Sequence, residues 1–218
     1  MNLIKLISFD MEGTLITRDY SKLIWETDIP RLYGQKHGLD FETAKARVMS
    51  EYDTVRDDEP EWYNTDYWFT RLELSGDWTA LLEARRDDCK TFHDSERVLM
   101  RLSEDYPLII SSNTIREFLE IQLTKLPDVF QHVYSAPSDF NTVKISDEYY
   151  GRILEERGLE PWEVVHVGDS LRYDYEEAKK QGIHAFYLDR DAVNGGDHVV
   201  RNLLEFEDRI RDLNIVSE

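Results

Sequence analysis

The chain contains a single cysteine, Cys89, in 218 residues. No intrachain disulfide can form, and a cysteine-rich metal cage is excluded by count. Positive charge is scarce as well: 26 Lys and Arg stand against 45 Asp and Glu, giving a formal charge of -19 at pH 7. Such a field repels phosphodiester backbones and anionic headgroups, which argues against nucleic acid and membrane surfaces as partners. Long apolar runs are missing too. The chain opens Met1-Asn2-Leu3-Ile4-Lys5 with no apolar leader, and its apolar runs fall far short of the ~20 residues a spanning helix needs. The expectation is a cytoplasmic protein. An anionic ligand would have to be held locally, against the overall charge, by a metal ion, by Lys or Arg, or by helix N-termini.

What the chain does have is apolar and aromatic bulk. Hydrophobic residues make up 41%, with 5 Trp, 12 Tyr and 9 Phe, enough to bury a core and unlike a disordered composition. At ~150 residues per domain, the length suits one domain carrying a sizeable insertion. Residues 3–9 form a mostly apolar run rich in strand formers that stops at Asp10, with Gly13 just beyond. Residues 108–111 behind Pro107 and 164–167 behind Pro161 read alike, and 185–188 is a weaker fourth. Helical patterns lie between them: Val98, Leu99 and Leu102 behind Asp94-Ser95; Ile115, Leu119, Gln122 and Leu126; Tyr149, Ile153 and Leu154 behind a Ser146 cap and before Gly158. Strands alternating with helices predict a parallel sheet, with ligands at the carboxyl ends of the strands. Residues 18–90 read instead as a separate helical block holding Trp25, Trp62, Trp68 and Trp78, inserted after the first strand.

Four clusters can carry chemistry. Asp10-Met11-Glu12-Gly13-Thr14 sets two carboxylates two residues apart on a turn, so that one could attack while the other moves a proton; the same pattern is also an ordinary solvated turn. Gly168-Asp169-Ser170 with Asp174 follows another strand and offers hard oxygens to Mg²⁺, or caps a helix. Ser111-Ser112-Asn113 ends a third strand, where hydroxyl, amide and helix N-terminal groups can hold an anion or simply cap the helix. Lys144 lies in a short polar segment, Asn141-Thr142-Val143-Lys144, where a lysine is ordinarily solvent-exposed.

In this order the four clusters resemble the haloacid dehalogenase superfamily of hydrolases, and their separations fit as well. The resemblance covers essentially the whole chain. It implies a Rossmann-like three-layer α/β core of parallel strands, residues 1–17 plus 91–218, with a helical cap domain inserted at 18–90. It makes Asp10 the nucleophile that forms an aspartyl-phosphate and Glu12 the general acid/base. Asp10, Asp169 and the backbone carbonyl of Glu12 would ligate Mg²⁺, Ser112 would hydrogen-bond the phosphoryl group, and Lys144, oriented by Asp174, would neutralise charge. Asn113 and Arg18 are further candidates for binding a small phosphorylated substrate. Two positions depart from the family pattern: Glu12 stands where most of its phosphatases have Asp, and Ile145 where many relatives have Pro. Because the family's dehalogenases lack an acid at the position of Glu12, the resemblance favours a Mg²⁺-dependent phosphatase. Phosphotransferase or mutase chemistry, carbon–phosphorus or carbon–halogen cleavage, and a binding protein impaired by Glu12 are the alternatives.

Other residues carry blander expectations. Arg18 and Arg116 could each reach an anion or lie on solvated helix faces. The aromatics Trp62, Tyr63, Tyr67, Trp68 and Phe69 fit the core of the helical block better than a pocket. His166 reads as a satisfied buried histidine, and Cys89 as inert.

Overall fold

The computed structural model describes residues 4–145 and 147–215. Six parallel strands form one sheet: β1 (Leu6–Phe9), β2 (Leu108–Ser112), β3 (Phe130–Ser135), β4 (Val164–Gly168), β5 (His184–Leu188) and β6 (Val199–Val200), in the order β3-β2-β1-β4-β5-β6. β1 sits between β2 and β4, with Ile7 opposite Leu108 and Phe9 opposite Val167. The order reverses around β1, which opens a crevice at the carboxyl ends of these three strands.

The strands form where they do because both faces are covered. Side chains alternate across a strand, so Ile7, Phe9, Ile110, Val165 and Val167 pack on one face, and Leu6, Ile109 and Val164 on the other. The first face meets α6 (Ser95–Leu102) through Val98, Leu99 and Leu102, α7 (Arg116–Leu123) through Phe118 and Leu119, and α11 (Leu203–Ile215) through Leu203, Phe206 and Ile210. The second meets α8 (Ala136–Phe140) through Ala136, α9 (Asp147–Arg157) through Tyr149, Tyr150, Ile153 and Leu154, and α10 (Glu177–Lys180) through Ala178. The result is the expected three-layer, Rossmann-like arrangement.

Four strands stand where the apolar runs predict them. The first begins at Leu6 rather than at residue 3, since Lys5 donates its backbone N–H to Glu163 outside the ladder; Leu3 and Ser146 lie outside the described residues. β3 and β6 went unanticipated. β3 is a half-exposed edge strand that shows Gln131 and His132 to solvent, and β6 is two residues behind Gly195-Gly196, so neither carries a buried-strand run in the sequence. Asp94 precedes α6 without capping it; its carboxylate is taken by Arg190 and the Leu203 amide.

Between β1 and α6 the chain is helical, with no strand among residues 18–90: α1 (Asp19–Leu23), a π-helical turn at Ile24–Asp28, α2 (Ile29–His37), α3 (Phe41–Tyr52), α4 (Thr65–Arg71) and α5 (Thr79–Ala84). Among the described residues no helix is long and apolar enough to cross a membrane.

Candidate active site

Asp10 is the first residue past β1. Its amide donates to the Val167 carbonyl at 2.9 Å, so it remains tied to the neighbouring strand although it begins a loop. The loop folds tightly, with the amides of Leu15 and Ile16 both donating to the Met11 carbonyl and that of Gly13 to Ile16. Gly13 has φ +83°, and a Cβ there would lie 1.7 Å from Asp169 Oδ2. Only glycine lets Asp169 approach this loop. Gly168 plays a matching part on β4, where a Cβ would lie 2.1 Å from Asp174 Cγ. Two glycines thus pull two carboxylates in towards Asp10, which distinguishes this loop from a solvated turn.

Lys144 is 2% exposed, contrary to the usual state of a lysine in a polar segment. Its ammonium donates to Asp10 Oδ1 at 2.6 Å, to Asp174 Oδ1 at 2.5 Å and to the Ser111 carbonyl at 3.1 Å, which uses all three of its protons. Its backbone amide donates to Asn113 Oδ1 at 2.8 Å. Burial alone would discharge the lysine, but Asp10 and Asp174 outweigh it and hold the pKa well above the ordinary value. Asp174 is fully engaged: Oδ1 faces Lys144 and His166 Nε2, the latter at 3.1 Å, and Oδ2 accepts the Ser170 amide at 2.9 Å. Burial opposes its charge, yet Lys144 and His166 hold its carboxyl well below the usual range. His166 also pairs with Ser8 Oγ at 2.9 Å and is the satisfied core histidine expected.

The other carboxylates shift upward. Burial raises Asp10, only partly offset by Lys144. Burial and the charge of Asp10 raise Asp169 to about 7, although Arg18 binds it at 2.7 Å. Glu12 is likewise raised to about 7, chiefly by burial, while donors from Ser21 Oγ (2.6 Å) and Gln122 Nε2 hold its two oxygens. Oxygens of Asp10, Asp169 and Asp174 lie within 4.8 Å of one another, so three carboxylates share a small volume with one ammonium. Their chemistry fits a divalent, oxygen-seeking cation. With both oxygens of Asp174 already taken, Asp10 and Asp169 are the residues best placed to hold it.

All eight site residues read from the sequence, Asp10, Glu12, Arg18, Ser112, Asn113, Lys144, Asp169 and Asp174, line one cleft of about 890 Å³ between the sheet's carboxyl edge and the helical block. Ser112 and Thr114 exchange hydrogen bonds at the mouth of β2, whereas Ser111 turns the other way and pairs with Tyr149. Arg116 does not line the cleft; it binds Asp139 and the Val133 carbonyl. Cys89 is buried and its thiol is pushed up to about 11 by desolvation, which keeps it unreactive. The aromatics correct the sequence expectation. Phe69 and Trp68 are buried as expected, Trp68 at the back of the cleft, but Trp62 and Tyr63 line the cleft beside Trp25, Tyr52 and Phe118. Ser21 and Gln122 also went unrecognised, although Gln122 carried a signal: it is a polar residue at an apolar-spaced position of its helix, and it is fully buried.

Comparison with known proteins gives the family and the fold. A family model described as haloacid dehalogenase-like hydrolase matches residues 7–188. A crystal structure of a HAD phosphatase from Thermococcus onnurineus superposes with a TM-score of 0.85 at 27% identity, covering 95% of this chain and 98% of that one. The putative HAD-hydrolase YfnB of Bacillus subtilis, solved with magnesium bound, gives 0.67 at 16% identity over 95% and 99%. L-2-haloacid dehalogenase from Xanthobacter autotrophicus gives 0.60 at 18% over 95% and 98%. These last two likenesses concern the fold alone. Among curated proteins, the GMP/IMP nucleotidase YrfG of Escherichia coli is 29% identical over 68 residues, a match spanning 31% of this chain and 30% of YrfG.

Proposed function

Because the chain belongs to the haloacid dehalogenase-like hydrolase family, we propose that it hydrolyses a small phosphorylated metabolite, with the phosphoryl group carried transiently on Asp10. The observation that carries this reading is Glu12, gripped by Ser21 and Gln122 in the cleft that holds Asp10. An alkoxide leaving from phosphorus needs a proton; a halide leaving from carbon does not. A positioned acid beside the nucleophile therefore favours phosphate esters over haloacids. The names of two relatives, a phosphatase and a nucleotidase, point the same way.

The residues divide the work as follows. An Asp10 oxygen attacks phosphorus and the ester P–O bond breaks, with the departing oxygen taking its proton from Glu12. Water then attacks the phosphorus of the aspartyl-phosphate, gives its proton back to Glu12 and releases inorganic phosphate and Asp10. Lys144 neutralises charge on Asp10 as the dianion approaches, and Asp174 with His166 fixes Lys144 in place. Ser112 and Asn113, ahead of α7, offer donors to the phosphoryl oxygens, and Arg18 adds a guanidinium at the rim. Asp10 and Asp169 would hold Mg²⁺, with the backbone of Glu12 completing the set. Bound there, the ion supplies Lewis-acid neutralisation of the phosphoryl charge.

Residues 18–90 act as a cap on the core formed by 1–17 and 91–218. Support comes from their purely helical content and from the two chain crossings, which run side by side: the Thr17 amide donates to Lys90 at 2.8 Å and that of Phe92 to Leu15 at 3.0 Å. A double crossing of this kind can hinge while the cleft stays lined from both sides. The test is release of inorganic phosphate from an aryl phosphate, with and without Mg²⁺, by the wild type and Asp10→Asn. Mg²⁺-dependent release that Asp10→Asn reduces at least ~10³-fold is the expected outcome. Halide release from 2-haloacids without phosphatase activity would overturn the reading, as would turnover in a folded Asp10→Asn protein.

A further inference from the structure

Glu12 is held from two sides by groups of different chemistry. Ser21, on α1 of the helical block, has its Oγ 2.6 Å from Glu12 Oε2 and 3.2 Å from the Arg18 carbonyl. Gln122, on α7 of the core, donates through Nε2 to Glu12 Oε1. Glu12 and Ser21 line the cleft, whereas Gln122 is 0% exposed and stands on the core side of the carboxyl, in a helix that also buries Phe118, Leu119 and Ile121.

The polar atoms of Gln122 are unevenly served. Its Oε1 is buried and has no hydrogen-bond partner among the described residues. An unpaired buried carbonyl costs stability that a methionine or leucine at this apolar-spaced position would not. The one contact that sets glutamine apart from those residues is the bond to Glu12. Turned round, the amide would leave its nitrogen without an acceptor and would need a proton on Glu12 Oε1, so the N–H faces the carboxyl. The length of Glu12 matters as much. An aspartate in its place would withdraw the carboxyl by about 1.5 Å, one carbon–carbon bond, and the bond to Gln122 would not survive that gap.

We propose that Gln122 is a positioning residue matched to Glu12: it holds Oε1 against the core, so that Oε2, the oxygen beside Ser21 on the cleft side, carries the proton given to the departing alkoxide. Glu12 is then a full acid on a longer arm rather than an ill-fitting replacement for aspartate. This deepens the phosphatase reading and rests on it for the reaction. Ser21 complements the arrangement, because a hydroxyl has one proton to donate and two sites that accept. While Oε2 is protonated, Ser21 accepts from it and turns its own proton to the Arg18 carbonyl. As the bond from Asp10 to phosphorus forms, the ester P–O bond breaks and the Oε2 proton leaves with the alcohol; Ser21 then turns back and donates to the carboxylate. The attacking water of the second step returns a proton to Oε2. The carboxyl itself stays in place throughout.

The experiment measures kcat/KM with Mg²⁺ for 4-nitrophenyl, phenyl and benzyl phosphate, three ring-bearing esters whose leaving groups depend increasingly on a proton, in the wild type, Gln122→Met, Glu12→Gln and the double variant. kcat/KM reports transfer to Asp10, the step in which Glu12 is the acid. Gln122→Met keeps the size of the side chain, and its melting temperature should stay within about 4 °C of the wild type. It should lower kcat/KM for benzyl phosphate at least about tenfold more than for 4-nitrophenyl phosphate. Added to Glu12→Gln, it should change kcat/KM for phenyl phosphate less than about threefold. Equal losses on all three esters, or an undiminished loss beside Glu12→Gln, would be the mark of a merely structural role and would overturn the proposal. Glu12→Asp, a change confined to the cleft, supplies a second check: a loss of at least about tenfold on benzyl phosphate is expected, and a gain overturns the matched pair. If the wild type releases no phosphate from any of the three esters, the phosphatase reading fails and the proposal with it. Release by the wild type with no loss in Gln122→Met removes the positioning role alone.

Discussion

Lys144→Met removes the one ammonium that Asp10 and Asp174 share while keeping an unbranched side chain of similar length. The lysine is 2% exposed, and its three donors go to Asp10, Asp174 and the Ser111 carbonyl. Taking one partner from a buried charge cluster leaves the others uncompensated, at a cost of about 3–5 kcal/mol. At about 2–4 °C per kcal/mol for a chain of this size, the melting temperature should drop by about 6–20 °C. The cause can be separated from lost packing by adding Asp174→Asn. Alone, that change strands Lys144 beside a single carboxylate; together with Lys144→Met, it removes a charge that the first change had stranded. The double variant should therefore lose at least about 1 kcal/mol less than the sum of the singles. Urea unfolding followed by tryptophan fluorescence, with EDTA present so that no cation stands in for the ammonium, gives all four corners of the cycle. Strict additivity, or a single-variant loss below about 1 kcal/mol, would refute the view that Lys144 is charged and clamped by these two carboxylates.

Two further outcomes are expected. Gly13→Ala places a methyl where Asp169 Oδ2 now sits, at a φ of +83°, so it should cost about 1–2 kcal/mol and cut phosphate release at least about tenfold by displacing Asp169; unchanged activity with normal stability would count against the packing of these two groups. Asp94 is buried, and Arg190 and the Leu203 amide outweigh desolvation to hold its pKa below the ordinary value, so its contribution is complete at neutral pH and is lost as pH falls below about 4. Unfolding free energies measured at several acid pH values should decline less steeply in Asp94→Asn than in the wild type, and parallel curves would remove Asp94 from the acid sensitivity.

The parts of the fold legible in the sequence were those with a single physical cause. Residues 108–111 and 164–167 are buried on both faces, so continuous apolar runs betray them, and the small or polar residue at each strand tip marks the place where the sheet delivers side chains to the crevice. β3 was hidden because an edge strand answers to water on one side and tolerates Gln131 and His132. In the site, Asp10, Lys144 and Asp169 were found through the order of motifs, although Lys144 alone would have passed for a surface residue. What the motifs could not carry was the support around them. Gln122 reaches Glu12 from 110 positions away within the core, and Trp25 reaches Phe118 from the helical block, so the first contact exists only once α7 has packed beside β1 and the second only once the block has docked on the core.

The chain's negative charge and the anionic substrate proposed for it can be reconciled by counting formal charges at the crevice. Asp10, Glu12, Asp169 and Asp174 contribute four negative charges and Lys144 and Arg18 two positive, which leaves two in excess beside the cleft that, on the proposed reading, admits a phosphate dianion. A divalent cation held by Asp10 and Asp169 would cancel that excess and would compete with Arg18 for Asp169. The guanidinium is then available to the incoming phosphate, which it can grip with two parallel hydrogen bonds. On the proposed reading, the acidic surroundings favour a cleft that would accept phosphate only after a cation has been taken up.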